Sequence, residues 1–348
     1  MKRYEKFVLE AEKGITFEVS EGTSGELIIR AQNHATNISY SEHLPTVLAG
    51  EYAEVISIYI DKDGNKAVVP PGWTVSGLSK ENIILGNDEG LVIYHIPKEK
   101  VSDINWQNLY DVEMLMGEYD QYVWIPVGRL DSNGTLYGKH FSKKFGRRNY
   151  RNNEFSDDEF NEALNGELFE QSESVKKYEG FYISRYNISK SSAGKPQSIK
   201  GAMPWVNINF DDAKEIASTI EDNEVVKSHL TFGAEYDSVL EWFIETEVKS
   251  IAEIAKYSTE WGNHWNTENS PRKVVETGSR EEWCANNIYD FAGNVDEWTQ
   301  EQNGSELRVI RGGSYHNFGF YSPVAKRSEF NLDFCCNGTG FRAALYIK

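Results

Sequence analysis

The amino-acid sequence predicts an α+β protein with a β-rich N-terminal region, and three observations carry that expectation. Apolar and polar positions alternate in several short runs of the first half. Two later segments repeat their apolar residues at helical spacing, and beyond Ile254 the chain turns rich in Trp, Asn, Gly and Tyr with few periodic runs. Period two places alternate side chains on opposite faces of a strand, whereas a period near 3.6 gathers them on one face of a helix.

Ile15 to Val19 and Glu26 to Arg30 read as half-buried strands. Val55 to Ile60 and Ala67 to Val69 read as a hairpin around Asp61-Lys62-Asp63-Gly64-Asn65. That turn has the opening oxygens of a calcium loop, but Lys66 stands where such a loop needs glycine, so a plain hairpin turn is expected. Gly90 to Tyr94 and Tyr122 to Val127 read as buried strands. Leu130 to Lys177 is polar and reads as a long surface excursion with one short helix near Asp157 to Leu164, and its Lys143, Lys144, Arg147 and Arg148 read as a solvated loop. Strand character returns at Phe181 to Tyr186. Asn209 can cap a helix on which Phe210, Ala213, Ile216, Ala217 and Ile220 share a face, with Asp211 and Asp212 at the positive end of its dipole. Tyr236, Val239, Leu240, Phe243 and Ile244 form a second stripe, on a helix starting near Thr231. Both stripes read as core. The Asn- and Trp-rich remainder reads as packed loops, the part of a fold that most often carries function.

Charge and motif content narrow the function classes. With 36 Lys+Arg against 54 Asp+Glu, the formal charge is −18. Such a field repels polyanions, so nucleic acid is excluded as a partner. There is no apolar run long enough to span a membrane, which takes about 18 residues or more. Met1 to Lys6 has charge but no apolar stretch behind it, so no secretory signal is expected. Synthesis in the cytoplasm is expected, with virion association or surface display by another route. Cys284, Cys335 and Cys336 are too few for a disulfide framework. Histidines at 34, 43, 95, 140, 229, 264 and 316 make no metal-ligand spacing, and no phosphate loop, dinucleotide fingerprint or hydrolase elbow occurs. The absence of these signatures favours binding over catalysis.

The last two-thirds of the chain carries an ordered series of motifs: Tyr122 to Gly128, Phe181 to Ser189, Met203 to Ala213, Leu230 to Tyr236, Asn287 to Thr299, Arg308 to Tyr315, and Gly340 to Ala344. In this order they resemble the formylglycine-generating-enzyme family, whose fold is a C-type-lectin-like α+β body with long packed loops. Physically, Gly293, Gly312 and Gly313 suit tight backbone, Trp298 and Phe341 suit a core, and Arg311 and Arg342 suit bridges to loop carbonyls or carboxylates. The resemblance implies two thiols after Arg311-Gly312-Gly313-Ser314 in copper-dependent members, since soft Cu(I) prefers thiolate. Those positions hold Asn317 and Ser322 here, and the vicinal Cys335 and Cys336 lie elsewhere in the pattern. The iron-dependent relatives' additional histidine triad is missing as well. No catalytic residue is therefore assigned and no cofactor is required, although the stretch Asn294, Asp296 and Glu297 resembles one that holds calcium in the enzymes, which makes calcium a candidate.

The layout is also similar to the variable proteins of diversity-generating retroelements of phages and bacteria, which share this fold and vary a C-terminal stretch between an Arg-Gly-Gly motif and a closing Gly-Phe-Arg. Gly340-Phe341-Arg342 closes this chain in the same way, and 315–322 and 330–339 contain no Lys, Glu, Gln, Met or Trp, the types that adenine-directed mutagenesis of Asn codons cannot reach. The resemblance implies a variable segment over 315–339. Its expected ligand-binding residues are Tyr315, His316, Asn317, Phe318, Phe320, Tyr321, Ser322, Phe330, Asn331, Asp333, Phe334, Cys335, Cys336, Asn337 and Thr339. Aromatics supply contact area at low entropy cost and Asn, Ser and His supply adaptable hydrogen bonds. Most of these side chains are expected on one contiguous exposed surface, with a minority of the aromatics in the core.

The expected organisation is a β-rich accessory region over 1–115, with 1–50 able to form a separate small unit, and a ligand-binding body over 116–348. The expected function is recognition of a protein or glycan on a cell surface by a retroelement-diversified protein. A formylglycine-generating-type oxidase and a structural virion protein are the alternatives.

Overall fold

The computed structural model describes residues 15–21, 27–33, 44–60, 66–76, 90–128, 145–148, 150 and 166–348. The turn 61–65, the helix expected near 157–164, and Lys143 and Lys144 lie outside the described residues. Strands β1 (Ile15–Glu21) and β2 (Leu27–Asn33) pair antiparallel, as do β3 (Ser57–Ile60) and β4 (Lys66–Val69). There follow β5 (Thr74–Val75), β6 (Val92–Tyr94), α1 (Lys98–Val101), α2 (Leu109–Glu118), β7 (Gln121–Pro126), α3 (Gly166–Tyr178) and β8 (Gly180–Ser184). Short strands β9 (Ser189–Lys190) and β10 (Pro196–Gln197) precede α4 (Phe210–Ser218), β11 (Val226–Leu230), α5 (Gly233–Glu245) and α6 (Ile251–Ala255). A small hairpin of β12 (Cys284–Ala285) and β13 (Ile288–Tyr289) leads into β14 (Asp296–Asn303), β15 (Leu307–Arg311), β16 (Ser328–Asn331), β17 (Thr339–Phe341) and β18 (Ala343–Ile347).

A six-stranded antiparallel sheet in the order β11-β18-β8-β7-β6-β5 forms the centre. Every residue of β7 and β8 is buried, because both faces of the sheet are covered. On one face Val123, Ile125, Phe181 and Ile183 pack with Tyr236, Val239, Leu240 and Phe243 of α5. On the other, Tyr122, Trp124, Tyr182 and Leu345 pack with Ala67, Val68 and Val69 of β4, and the Tyr182 hydroxyl donates to the Val68 carbonyl at 2.9 Å. Alternation along each strand assigns side chains to these two cores. The division expected near residue 115 falls within α2, and strands on both sides of it share this sheet.

The second sheet, β16-β15-β14-β17, carries the C-terminal motifs. Its β17 runs parallel to β14, placing Phe341 beside Trp298, and both rings join Phe210, Ala213 and Ala217 of α4 in a third core. The expected Asn209 cap of α4 is present, its side chain accepting from the Asp212 N–H at 2.8 Å. Helix α5 starts at Gly233, two residues later than expected, because the Glu235 carboxylate takes the Phe232 N–H at 2.8 Å and fixes the first turn there.

Two expectations need correction. The excursion contains α3, whose Leu168, Gln171, Val175 and Tyr178 line a buried face that polar neighbours disguise. Arg147 and Arg148 do not lie in a solvated loop: the Arg148 N–H donates to Asp237 at 2.8 Å, and its guanidinium lies 3.6 Å from Glu241. Among the described residues, no helix is long and apolar enough to cross a membrane.

Candidate ligand-binding face

The base of the face is built by buried charge. At the end of β15, the Arg311 guanidinium donates to Glu301 and to Asp237, both at 2.8 Å, and to the Ala325 carbonyl at 3.2 Å. Arg327, beyond the following loop, donates to the same two carboxylates. The two ends of 312–326 are thereby held on one pair of acids. Gly312 and Gly313 then turn the chain with φ of +91° and +72°. A Cβ on Gly313 would lie 2.6 Å from the Ser322 carbonyl oxygen, so only glycine lets the loop close. Inside the loop, Asn317 Oδ1 accepts from the N–H and hydroxyl of Ser314, at 3.0 and 2.9 Å.

The closing motif is anchored in the same manner. Arg342 donates to the carbonyls of Ser184 and Tyr289, at 2.7 and 2.8 Å, and pairs with Glu297 at 3.0 Å. Asn187 donates to the same Glu297 oxygen at 2.6 Å. Arg311 and Arg342 thus hold the two motifs through buried carboxylates and carbonyls.

Two lobes result. In the first, Phe318, Phe320 and Tyr321 are 38%, 47% and 68% exposed and form a cluster of tilted and edge-on rings with centroids 4.3–6.0 Å apart. In the second, Asn331, Asp333, Cys335 and Asn337 are exposed, while Phe330 and Phe334 stack at 4.0 Å and are half-buried near Trp298. His316 is exposed and its Nε2 lies 3.1 Å from Asn337 Oδ1, joining the lobes. Asn317 and Cys336 are half-buried. Tyr315, Ser322 and Thr339 are corrections to the expected set. Tyr315 is buried and bonded through its N–H to Asn294, Ser322 sits against Gly313, and Thr339 is inside β17 pairing with Asp296.

Sequence reasoning missed Trp265 and Tyr257, both exposed beside the first lobe. The Trp265 N–H donates to the Asn317 carbonyl at 2.9 Å, and that of Ser258, next to Tyr257, donates to Gly319 at 3.0 Å. The Trp- and Asn-rich composition after Ile254 was the available signal. Positive groups border this lobe: Lys326 Nζ donates to the Tyr321 carbonyl at 2.9 Å, and Arg272 lies over the Trp265 ring at 4.9 Å.

The residues considered for calcium do not fit that ion. Asn294 Oδ1 is occupied by the Asn263 side chain and the Val275 N–H, and Glu297 already faces a guanidinium. Asp296 bonds to Ser314 and Gly313, and burial pushes its carboxyl up to about 7. Among the described residues, no three His, Cys, Asp or Glu side chains converge so as to hold a metal. His264, behind Gly313, is held neutral by burial, down to about 4. Cys284 belongs to the distant β12, and burial pushes its thiol up to about 12.

The model of the sulfatase-modifying factor enzyme 1-like domain matches residues 116–347. No curated protein matches the chain. Among solved structures, the chain is similar to Treponema denticola variable protein 1, at 16% identity over 47% of this chain and 84% of that one, with a TM-score of 0.34. It is also similar to PvdO from Pseudomonas aeruginosa, at 14% identity over 66% and 95%, TM-score 0.40. The Major Tropism Determinant M1 variant aligns at 11% identity over 97% of this chain and 82% of that one, TM-score 0.34.

Proposed function

The chain belongs to the sulfatase-modifying factor enzyme 1-like domain family, with its C-type-lectin-like α+β fold, and from that premise we propose that it is a ligand-binding variable protein of a diversity-generating retroelement. Its ligand is a protein or glycan on a cell surface. The observation that carries this reading is the exposed cluster Phe318, Phe320 and Tyr321 on a loop whose two ends are clamped by buried ion pairs. A rigid base beneath exposed aromatics keeps the entropy cost of binding low and lets outward side chains change without loss of fold. Asn317 and Ser322 at the thiol positions remove the soft ligands that Cu(I) oxidase chemistry uses, which supports binding over catalysis.

Sequencing the flanking DNA tests the diversification: a reverse transcriptase gene and a near copy of codons 315–339, differing at adenines, are expected. Screening the full chain on glycan and bacterial surface-protein arrays, beside its Phe318→Ser/Phe320→Ser/Tyr321→Ser variant, tests the face. Signal lost in the variant supports the reading, and equal signal from both proteins overturns it. Copper-dependent oxygen uptake with a Cys-containing peptide is expected to stay at background.

A further inference from the structure

We propose that Arg185, Tyr94 and Tyr186 form a binding site for a small monoanion at the end of the central sheet. Arg185 follows β8 and is 2% exposed. Its Nε donates to the Asn287 carbonyl at 3.0 Å, Nη1 to Gln121 Oε1 at 2.9 Å and Nη2 to Asn287 Oδ1 at 3.2 Å. All three acceptors are neutral. Arg311 and Arg342, equally buried, each pair with a carboxylate at 3.0 Å or less. Burying a cation without a counter-charge is unfavourable, so a buried guanidinium satisfied only by amide oxygens is the exception that needs an explanation.

Among the described residues no carboxylate bonds to Arg185, although Glu281 lies within its electrostatic reach. Glu281 accepts from the Tyr289 hydroxyl and from Lys200 Nζ, the latter at 3.0 Å, so its charge is matched by lysine. Arg185, Lys200 and Glu281 together leave one positive charge. The stacked rings of Tyr186 and Tyr289 lie 5.5 and 5.4 Å from the guanidinium, which softens that charge without cancelling it. Cys284 borders the same group as a neutral thiol.

Two hydrogen-bond donors wait beside it. The hydroxyls of Tyr94 and Tyr186 are fully buried in the electrostatic reach of Arg185; the Tyr94 oxygen lies against its guanidinium, and neither hydroxyl finds an acceptor for its proton among the described residues. Burial keeps both phenols protonated, so each offers an O–H. Buried hydroxyls are nearly always paired. A monoanion beside the guanidinium would accept from both hydroxyls and from the guanidinium's remaining N–H groups, and would cancel the surplus charge. Half-buried Lys200 and Cys284 mark the side that faces solvent.

The test compares the full chain in sodium bromide, chloride, formate and gluconate at equal ionic strength. A melting temperature higher by about 2–4 °C in a binding anion than in bulky gluconate is expected when the anion is about tenfold above its dissociation constant. Tyr94→Phe/Tyr186→Phe is expected to abolish that difference. Diffraction from bromide-soaked crystals of the unmodified protein is expected to give an anomalous peak within hydrogen-bond distance of both hydroxyls, whether or not the variant folds. Identical melting in all four salts with a water in place of the peak would overturn the proposal, as would a salt response undiminished in the double variant.

Discussion

Arg311 and Asp237 meet at 2.8 Å with neither side chain exposed to solvent, joining the end of β15 to the middle of α5. Burial alone would raise the Asp237 carboxyl, but Arg327 and Arg311 outweigh it and hold the group below its ordinary range. A buried pair is costly to break on one side, because the remaining charge stays desolvated. Asp237→Ala is expected to lose about 3–5 kcal/mol in urea unfolding. A loss within the range of ordinary surface substitutions, about 0.5 kcal/mol, would show that the network relaxes or hydrates.

The exposed ring cluster should behave in the opposite way. Phe320→Ser and Tyr321→Ser remove side chains that pack mainly on each other, so unfolding free energy is expected to change by about 0.5 kcal/mol or less. Affinity for a ligand recovered from the arrays is expected to fall at least about tenfold, since aromatic hot-spot truncation costs about 2 kcal/mol or more.

Gly313 has a φ of +72° and the Ser322 carbonyl 2.6 Å from where a Cβ would stand. Gly313→Ala is expected to destabilise by about 1–3 kcal/mol, readable by calorimetry. Gly304, with φ of +69° and open space around it, is the control: only the backbone part of that cost, about 1 kcal/mol, is expected for Gly304→Ala.

Asp290 gives a pH signature. Burial raises its carboxyl from 3.8 to about 6, against the opposing Gly278 N–H. The fold thus favours the protonated form, so this group's contribution is complete below about pH 3.8 and is lost as pH rises through about 6. Asp290→Asn is expected to flatten that interval, gaining about 3 kcal/mol on the parent protein between its two ends. Urea midpoints measured across the interval check the sign.

The thiols should separate by reactivity. Cys335 is exposed, Cys336 is half-buried with its Sγ 3.1 Å from Thr339 Oγ1, and Cys284 is half-buried in β12 with its thiol pushed up to about 12. Native labelling with iodoacetamide, followed by peptide mass spectrometry, is expected to modify Cys335 first and Cys284 only after denaturation.

Local chemistry was readable wherever it acted over a few residues. The Asn209 cap, the α5 stripe and the strand at Tyr122 all follow from neighbours in sequence. Strand β14 was not readable: Glu297, Thr299 and Glu301 are buried beside Trp298, so its hydropathy does not alternate like a strand. Those carboxylates are stable inside only because Arg342, Arg311 and Arg327 reach them from elsewhere in the chain. The candidate face divided likewise. Its location followed from the Arg-Gly-Gly and Gly-Phe-Arg motifs, but Tyr315 and Phe320 look alike in sequence and only packing buries one and exposes the other.

By itself, the sequence determined the family and the α+β class, since each resides in residue identity and order. Tertiary structure alone decided that Thr339 is inside the parallel pairing of β14 and β17, that Trp265 and Tyr257 are exposed beside the Phe318 cluster, and that Arg185 is buried with no carboxylate bonded to it among the described residues. The reason is physical: burial and charge pairing are set by groups far apart in the chain, which local periodicity does not register.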